Sequence, residues 1–541
     1  MTYIEYISLP WKEQVKYKVS QSFANFGHGF VNFFISIGLF FANIGKKIWG
    51  VLVDAYQSFV FGDVWTKCSF LILGLSHIRR KQIVKGILLM AVEALFIFYI
   101  VAFGAYSLRG LVSLGETKLR YFISYDGVNI APGFENAIFT TQAAAITFAQ
   151  NFIPENAGAD YVAPTMTISV FGDNSSLLLL FGILAVILVI AFVCYYFSTV
   201  RSSYRVQEYY EAKIHLPTFF ESFKSLLDEK FYITLLLLPI IGICVFTILP
   251  VIDMATMAFT NYDGNHMYPA SLFTWVGLAN FYNLFAGYSS SGSNFSYTFF
   301  HILGWTLIWA FFATFLNYFL GMLVAMLINK KGIKLKKLWR TLFVLSIAMP
   351  QFISLLTWSK FLGSGGFIEM LLKQFGFMDS LDTLTIMDNA NIARVIIIAI
   401  NVWIGIPYTI LQISGILMNI PADLYESAQI DGAKPSTSYF KITLPYILFV
   451  TGPYLITQFV GNINNFNVIY FLTGGRPLDL NYMNAGRTDL LVTWLYKLTT
   501  GASSSYNYAA VIGIMIFLIS AVLSLIAYRH TSAVKNEENF A

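Results

Sequence analysis

Eight apolar stretches divide this chain, at about 86–108, 177–199, 231–254, 299–328, 341–360, 394–418, 446–472 and 506–528, with the polar residues gathered between them. A helix needs ~20 mostly apolar residues to cross the hydrocarbon of a bilayer, and each stretch is close to that length. Leu177 to Phe197 contains no charged residue, and neither does Phe299 to Ile328. Lipid offers no partner for a free backbone N–H or C=O, so such runs must be helical. The pattern predicts an all-α polytopic membrane protein with eight transmembrane helices. Pro350, Pro407 and Pro453 fall inside the runs and predict kinks.

The intervening segments differ in kind. Residues 1–83 interleave Phe, Trp and Lys; the apolar stretch Phe30 to Ile44 is short and stops at Lys46 and Lys47. That mixture predicts amphipathic helices lying at the cytoplasmic interface. Residues 84–230 hold the first two runs, which flank a Gly-, Asn-, Thr- and Pro-rich stretch, 109–176, expected to be a small extracellular domain with strand around Arg120 to Ile130. Residues 231–530 carry the other six runs, with external loops at 260–298, tipped by Tyr288 to Ser293, and at 473–505. Residues 531–541 form a charged tail.

Composition supports the bilayer as solvent: 57% of residues are hydrophobic and only 12% charged over 541 residues. The net charge is +5, and its distribution is more informative than its size. Lys330, Lys331, Lys334, Lys336, Lys337 and Arg340 follow the fourth run; Arg201, Arg205, Lys213, Lys224 and Lys230 follow the second; Arg79, Arg80, Lys81 and Lys85 precede the first. Cytoplasmic loops are enriched in Lys and Arg, so these regions are expected inside the cell, along with both termini. Phe361 to Asn391, with Lys373 as its sole basic residue, is expected outside.

Candidate chemistry is sparse. No G-x-x-x-x-G-K-[ST] loop occurs to cradle a nucleotide. Cys68, Cys194 and Cys244 have no metal spacing and read as packing residues. Nothing calls for a cofactor or metal, and no catalytic residue is expected. Glu93 is a lone carboxylate in the first run, better read as neutral or paired with a neighbouring helix than as a proton relay.

The loop between the sixth and seventh runs is the exception. Glu426 to Pro445 reads E-S-A-Q-I-D-G-A-K-P-S-T-S-Y-F-K-I-T-L-P. Pro421, Ala422 and Asp423 suit a helix start, with the acid near the positive end of the dipole. Gly432 permits a left-handed turn without Cβ strain, and Pro435 suits the first turn of a second helix. These features alone also fit an ordinary interhelical loop. The spacing of Glu426, Ala428, Gly432, Ile442, Leu444 and Pro445, however, resembles the signature loop of binding-protein-dependent ABC importer permeases, departing at Ser427, where that family usually has Ala. The resemblance implies that Glu426, Ser427, Ala428, Asp431, Gly432, Ile442, Leu444 and Pro445 seat in a cleft of a separate ATPase, with Lys441 at the rim.

Polar residues also form two stripes inside the apolar runs: Asn401, Gly405, Tyr408 and Gln412 on the sixth, and Tyr454, Gln458, Asn462 and Asn465 on the seventh. Helical periodicity puts each set on one face. Such amides either glue helices together or line a pathway for a neutral polyhydroxyl solute, and periodicity does not choose. Phe259-Thr-Asn-Tyr262, Trp275-Val-Gly-Leu-Ala-Asn-Phe281, Asn401 to Tyr408, Asn462 to Phe466, Leu472-Thr-Gly-Gly475 and Thr488 to Val492 look like the maltose/maltodextrin permease type, the larger membrane subunit. That resemblance implies an ABC importer (type I) transmembrane domain built from the last six helices. It further implies a sugar site at Asn401, Gly405, Asn462 and Asn465, to which the polar stripes add Tyr408 and Gln458 as candidates. The implied partners are a second permease subunit, an ABC ATPase dimer, an extracellular sugar-binding protein and an oligosaccharide substrate. Gln458, in place of a small hydroxyl residue, and Ile347, in place of Tyr, depart from the type. The rival reading is a secondary sugar transporter driven by an ion gradient, which would call for inverted repeats and a paired membrane carboxylate.

Overall fold

The computed structural model describes residues 42–124, 137–139, 141–151, 165–268, 272–285, 295–330, 332–379, 381–501 and 504–530, with a few isolated positions before 42. The expectations for residues 1–41, for 125–130, for the tip Tyr288 to Ser293 and for the tail 531–541 lie outside the described residues. The chain forms two compact units, Met1–Val276 and Gly277–Ala541.

In the first unit, α1 (Ile83–Ser113) and α2 (Ser175–Glu211) are the first two spans, and α3 (Phe231–Met257) is the third. The side chain of Asn174 caps α2, accepting from the N–H groups of Ser176 and Leu177. α1 and α2 run antiparallel and close: a Cβ on Gly110 would press into Leu178, and one on Gly182 into Leu111. Without a hydrophobic drive between helices in lipid, such small-residue contacts supply the packing. Between α1 and α2 lies a three-stranded antiparallel sheet, ordered β2-β1-β3, of β1 (Thr117–Ser124), β2 (Ala137–Phe139) and β3 (Thr165–Gly172). Its register pairs Tyr121 with Phe139 and Thr117 with Gly172. The strand expected around Arg120 to Ile130 is present, among the described residues, as β1. α3 has no buried residue along its length.

The same unit holds a polar cluster below α1. Asp63 caps the short helix Val64–Cys68 by accepting from the Thr66 N–H, and its other oxygen takes Arg80 at 2.8 Å. The Ser76 hydroxyl donates to the Ser203 carbonyl, and Gln82 donates to the Pro217 carbonyl at 2.8 Å. Residues 63–82 are thereby tied to the far end of α2. Glu93, the lone carboxylate of the first run, accepts from the Leu73 backbone N–H at 2.8 Å.

In the second unit the helices are α4 (Phe295–Asn329), α5 (Lys336–Ile347), α6 (Gln351–Leu362), α7 (Phe367–Gln374), α8 (Ala390–Met418), α9 (Ala422–Ile430), α10 (Pro435–Ile463), α11 (Asn467–Leu472), α12 (Leu491–Thr500) and α13 (Tyr506–His530). Seven helices of the described chain are long and apolar enough to cross a membrane, and an eighth crossing exists if the bent pair α5 and α6–α7 counts as one. That pair is the fifth run, and the kink expected at Pro350 is present as a turn of 83°. The cause is Pro350, which has no N–H to donate and disfavours helical backbone at the residue before it. Pro407 and Pro453, by contrast, stay within α8 and α10. The seventh run is corrected. α10 stops at Ile463 and α11 begins at Asn467, because the Asn side chains around the break bond to nearby groups and compete with the helix.

Two apolar clusters hold the unit. Trp305, Trp309, Leu355, Ile397, Ile400, Val468 and Ile469 form one; Tyr318, Met322, Ala325, Ile410, Ile413 and Ile447 form the other.

Candidate functional site

Direction is what positions the loop at α9. α4 and α8 touch in rising order along both chains. A Cβ on Gly405 would overlap the Asn317 amide, one on Gly321 would overlap Thr409, and Asn329 donates to the Ser414 hydroxyl at 2.9 Å. The two helices therefore run parallel, so the basic segment after α4 and the α9 loop after α8 emerge at one end of the unit. Asn329 ties this end together: Arg340 donates to its side-chain oxygen and Lys336 to its carbonyl. α10 returns in the opposite sense, with Tyr318 bonded to Thr451 at 2.6 Å and Asn462 donating to Thr314 at 3.0 Å.

α9 ends in a tight reversal. The Gly432 N–H donates to the Gln429 carbonyl and the Ala433 N–H to the Ala428 carbonyl, at 3.0 and 2.9 Å, with Gly432 at φ 73°. This is a Schellman closure, which satisfies carbonyls that the helix end would otherwise leave free. Pro435 then occupies the first turn of α10. The Tyr425 hydroxyl bonds to the buried Thr443 hydroxyl at 2.8 Å, clamping α9 onto the base of α10. No α9 residue is buried, and Ile430 is 87% exposed. Glu426, Ser427, Asp431, Gly432, Lys441 and Pro445 are exposed, while Ala428, Ile442 and Leu444 are half-buried. An elbow closed by its own hydrogen bonds, with its acidic and apolar side chains outward, can be gripped and moved as one piece.

The six sugar-site candidates divide. Asn401 is buried, Gly405 is half-buried beneath Asn317, and Tyr408 is exposed, all on α8. On α10, Gln458 is exposed and Asn462 half-buried. Asn465 lies beyond the end of α10, not on one continuous helical stripe with the others; its side chain donates to Asn462 and accepts the Val468 N–H, starting α11. Asn462 bonds to Thr314 and its carbonyl accepts from Trp309, so it joins α10 to α4. Both stripes thus meet α4, at Thr314 and Asn317, two polar residues that sequence reading passed over. Their signal was present: they are polar, three apart, in a run with no charge. A π-helical turn, Phe312–Leu316, leads into Asn317, and such turns recur at functional sites. The Asn317 and Gln412 side-chain oxygens have no hydrogen-bond partner among the described residues.

Beyond the break at Asn464 the chain folds into a buried polar knot. Asp489 is fully buried; it meets Lys497 at 2.6 Å and accepts from the Gly486 N–H at 2.7 Å and the Thr493 hydroxyl at 2.9 Å. Burial pushes its carboxyl above the usual carboxylate range, against the pull of Lys497 and the hydrogen bonds. This knot accounts for Thr488 to Val492 as framework. Among the described residues no group of His, Cys, Asp and Glu is arranged to hold a metal ion, and the three cysteines are free.

Apolar crossings, broken helices and an exposed elbow at the basic end define an integral membrane transport subunit. Residues 317–536 match the family described as binding-protein-dependent transport system inner membrane component. The maltodextrin transport system permease protein MdxF of Bacillus subtilis (strain 168) is 31% identical over 473 residues, 86% of this chain and 95% of the relative. The galactooligosaccharides transport system permease protein GanP of the same organism is 35% identical over 368 residues, 68% of this chain and 85% of the relative. The maltose/maltodextrin transport system permease protein MalF of Escherichia coli (strain K12) is 35% identical over 235 residues, 42% of this chain and 45% of the relative. The chain belongs to the family of binding-protein-dependent ABC importer permeases. It is a multi-pass membrane permease subunit whose ATPase is a separate partner, and nothing favours the ion-gradient alternative.

Proposed function

We propose that this subunit forms part of the sugar pathway of an ATP-driven oligosaccharide importer, with maltodextrin as first substrate. The observation that carries the reading is the exposed elbow at α9, at the same end as the basic segment 330–340. With that end cytoplasmic by the charge rule, both termini are cytoplasmic, and Glu426, Ser427, Ala428, Asp431, Gly432, Ile442, Leu444 and Pro445 form the ATPase-coupling surface. The partners are a second permease subunit, a dimer of ATPases and an extracellular binding protein. The working division is an interfacial segment 1–83, two helices flanking an extracellular domain over 84–230, a transport core over 231–530 containing the coupling loop 419–445, and a cytoplasmic tail 531–541.

A neutral substrate is supported by the lining. Between Arg394 and Asp423, and between Lys441 and Arg476, no charged residue occurs. The candidates Asn401, Gly405, Tyr408, Gln458, Asn462 and Asn465 offer amides that both donate and accept, as sugar hydroxyls do, and a ring able to stack on a sugar face. GanP, named for the transport of galactooligosaccharides, supports a second reading with that sugar class. Uptake into proteoliposomes bearing the complete complex separates these ideas. Maltotetraose uptake should require internal ATP and the binding protein and should survive collapse of ion gradients. Uptake that follows an ion gradient would sink the reading, and uptake of galacto-oligosaccharides alone would replace the substrate.

A further inference from the structure

In the first unit, where α1 begins and α2 ends, lies a cleft of about 580 Å³ whose lining includes Lys81, Gln82, Tyr210, Lys213, Pro217 and Thr218. Its walls are joined by the bond from Gln82 to the Pro217 carbonyl, and its floor is held by Arg80, whose guanidinium is paired with Asp63. Lys81 and Lys213 are exposed at its rim. Neither has an ion-pair partner within 4.0 Å among the described residues. The nearest carboxylate in sequence to Thr218, Glu221, is directed to His215 and to the Thr218 N–H. The cleft thus holds unpaired positive charge.

Both lysines sit where chain geometry argues against them. Lys81 is at φ 67° and Lys213 at φ 57°. Each follows a helix end closed in the Schellman manner, with Gln82 N–H to the His77 carbonyl and Ile214 N–H to the Tyr209 carbonyl. Glycine occupies that position at least strain, yet both places carry a long cation. Backbone strain kept in this way gathers at ligand clamps. Directly along α1 from the cleft, Ile83, Val84, Ile87 and Leu88 are exposed and apolar. A ligand with an anionic head and acyl tails matches both surfaces at once.

We propose that this cleft binds the headgroup of an anionic phospholipid, with its phosphate between Lys81 and Lys213, hydroxyl donors from Tyr210 and Thr218, and its tails on α1. Basic pockets at the ends of membrane helices are built for such headgroups. The site anchors the first unit to charged lipid.

The test uses the full chain in detergent, titrated with phosphatidylglycerol or with phosphatidylcholine of identical acyl chains and read by native mass spectrometry. Wild type should retain one phosphatidylglycerol in preference to phosphatidylcholine. Lys81→Gly with Lys213→Gly should weaken retention roughly twenty-five-fold, at about fivefold per lysine. Thermal stability without lipid should be unchanged or raised, because glycine suits both positions. Lys334→Gln with Lys337→Gln, outside the cleft, should retain lipid as wild type does. Equal retention by the two double variants, or no preference between the lipids, overturns the proposal. Displacement of the lipid by millimolar inorganic phosphate also overturns it, in favour of a soluble anion.

Discussion

Replacing Gly432 isolates the backbone cost of the elbow, because nothing lies within 4 Å of where a Cβ would stand. The substitution therefore meets no steric clash, and its effect comes from φ 73° alone. An L-residue other than Gly or Asn costs about 1 kcal/mol or more in left-handed backbone, which is about a fivefold change in an equilibrium. A β-branched residue costs about twice as much in energy, and Asn a fraction of it. The direct assay is hydrogen–deuterium exchange at the Asp431, Gly432 and Ala433 amides, which donate to Ser427, Gln429 and Ala428. Their opening should accelerate about fivefold for Gly432→Ala, about twofold for Gly432→Asn and tenfold or more for Gly432→Val. Binding of the partner ATPase should weaken in the same order and by no more than those factors, since only closed elbows dock. Equal exchange in all variants, or Asn as damaging as Val, would refute the reasoning.

Gly405→Ala should destabilise the α4–α8 contact by about 1–3 kcal/mol, as overpacking does, and Asn317→Ala should restore much of that loss in thermal unfolding. Asn462→Leu removes the bond to Thr314 and should cost about 1 kcal/mol; a raised KM for uptake identifies a sugar contact, whereas lowered stability with unchanged KM leaves helix glue alone. Burial, helped by the charges of Lys85 and Arg80, pushes the His77 pKa down from 6.5 to about 4. Between those values the unfolded chain binds a proton that the folded chain does not, so this contribution is complete above pH 6.5 and is lost as pH falls toward 4. The loss should reach about 3 kcal/mol, and His77→Gln should flatten the acid limb of thermal stability measured between pH 7.5 and 5.

The crossings were legible in the chain because a bilayer removes alternatives: an uncharged run such as Leu177 to Phe197 has no other stable form in lipid. The elbow was legible because its chemistry is local, with Gly432 and Pro435 serving the backbone they occupy. The breaks were harder. Periodicity counts straight through Asn464, and only the bond from Asn465 to the Val468 N–H reveals a new helix starting there. Thr314 and Asn317 stayed hidden because their partners, Asn462 and Gly405, are far away in sequence. The same holds for Glu93, whose partner is a backbone N–H at Leu73, and for Asp63 with Arg80. Long-range polar pairs leave no period to detect.

The most direct measurement is cross-linking from the elbow of the assembled transporter. With Cys68, Cys194 and Cys244 replaced, a cysteine-directed photo-cross-linker at Ser427→Cys should form an adduct with the ATPase subunit. The same reagent at Leu480→Cys, on the opposite loop, should leave the ATPase unlabelled. An adduct of position 427 with the external binding protein, or ATPase labelled from 480 and not from 427, would contradict the account.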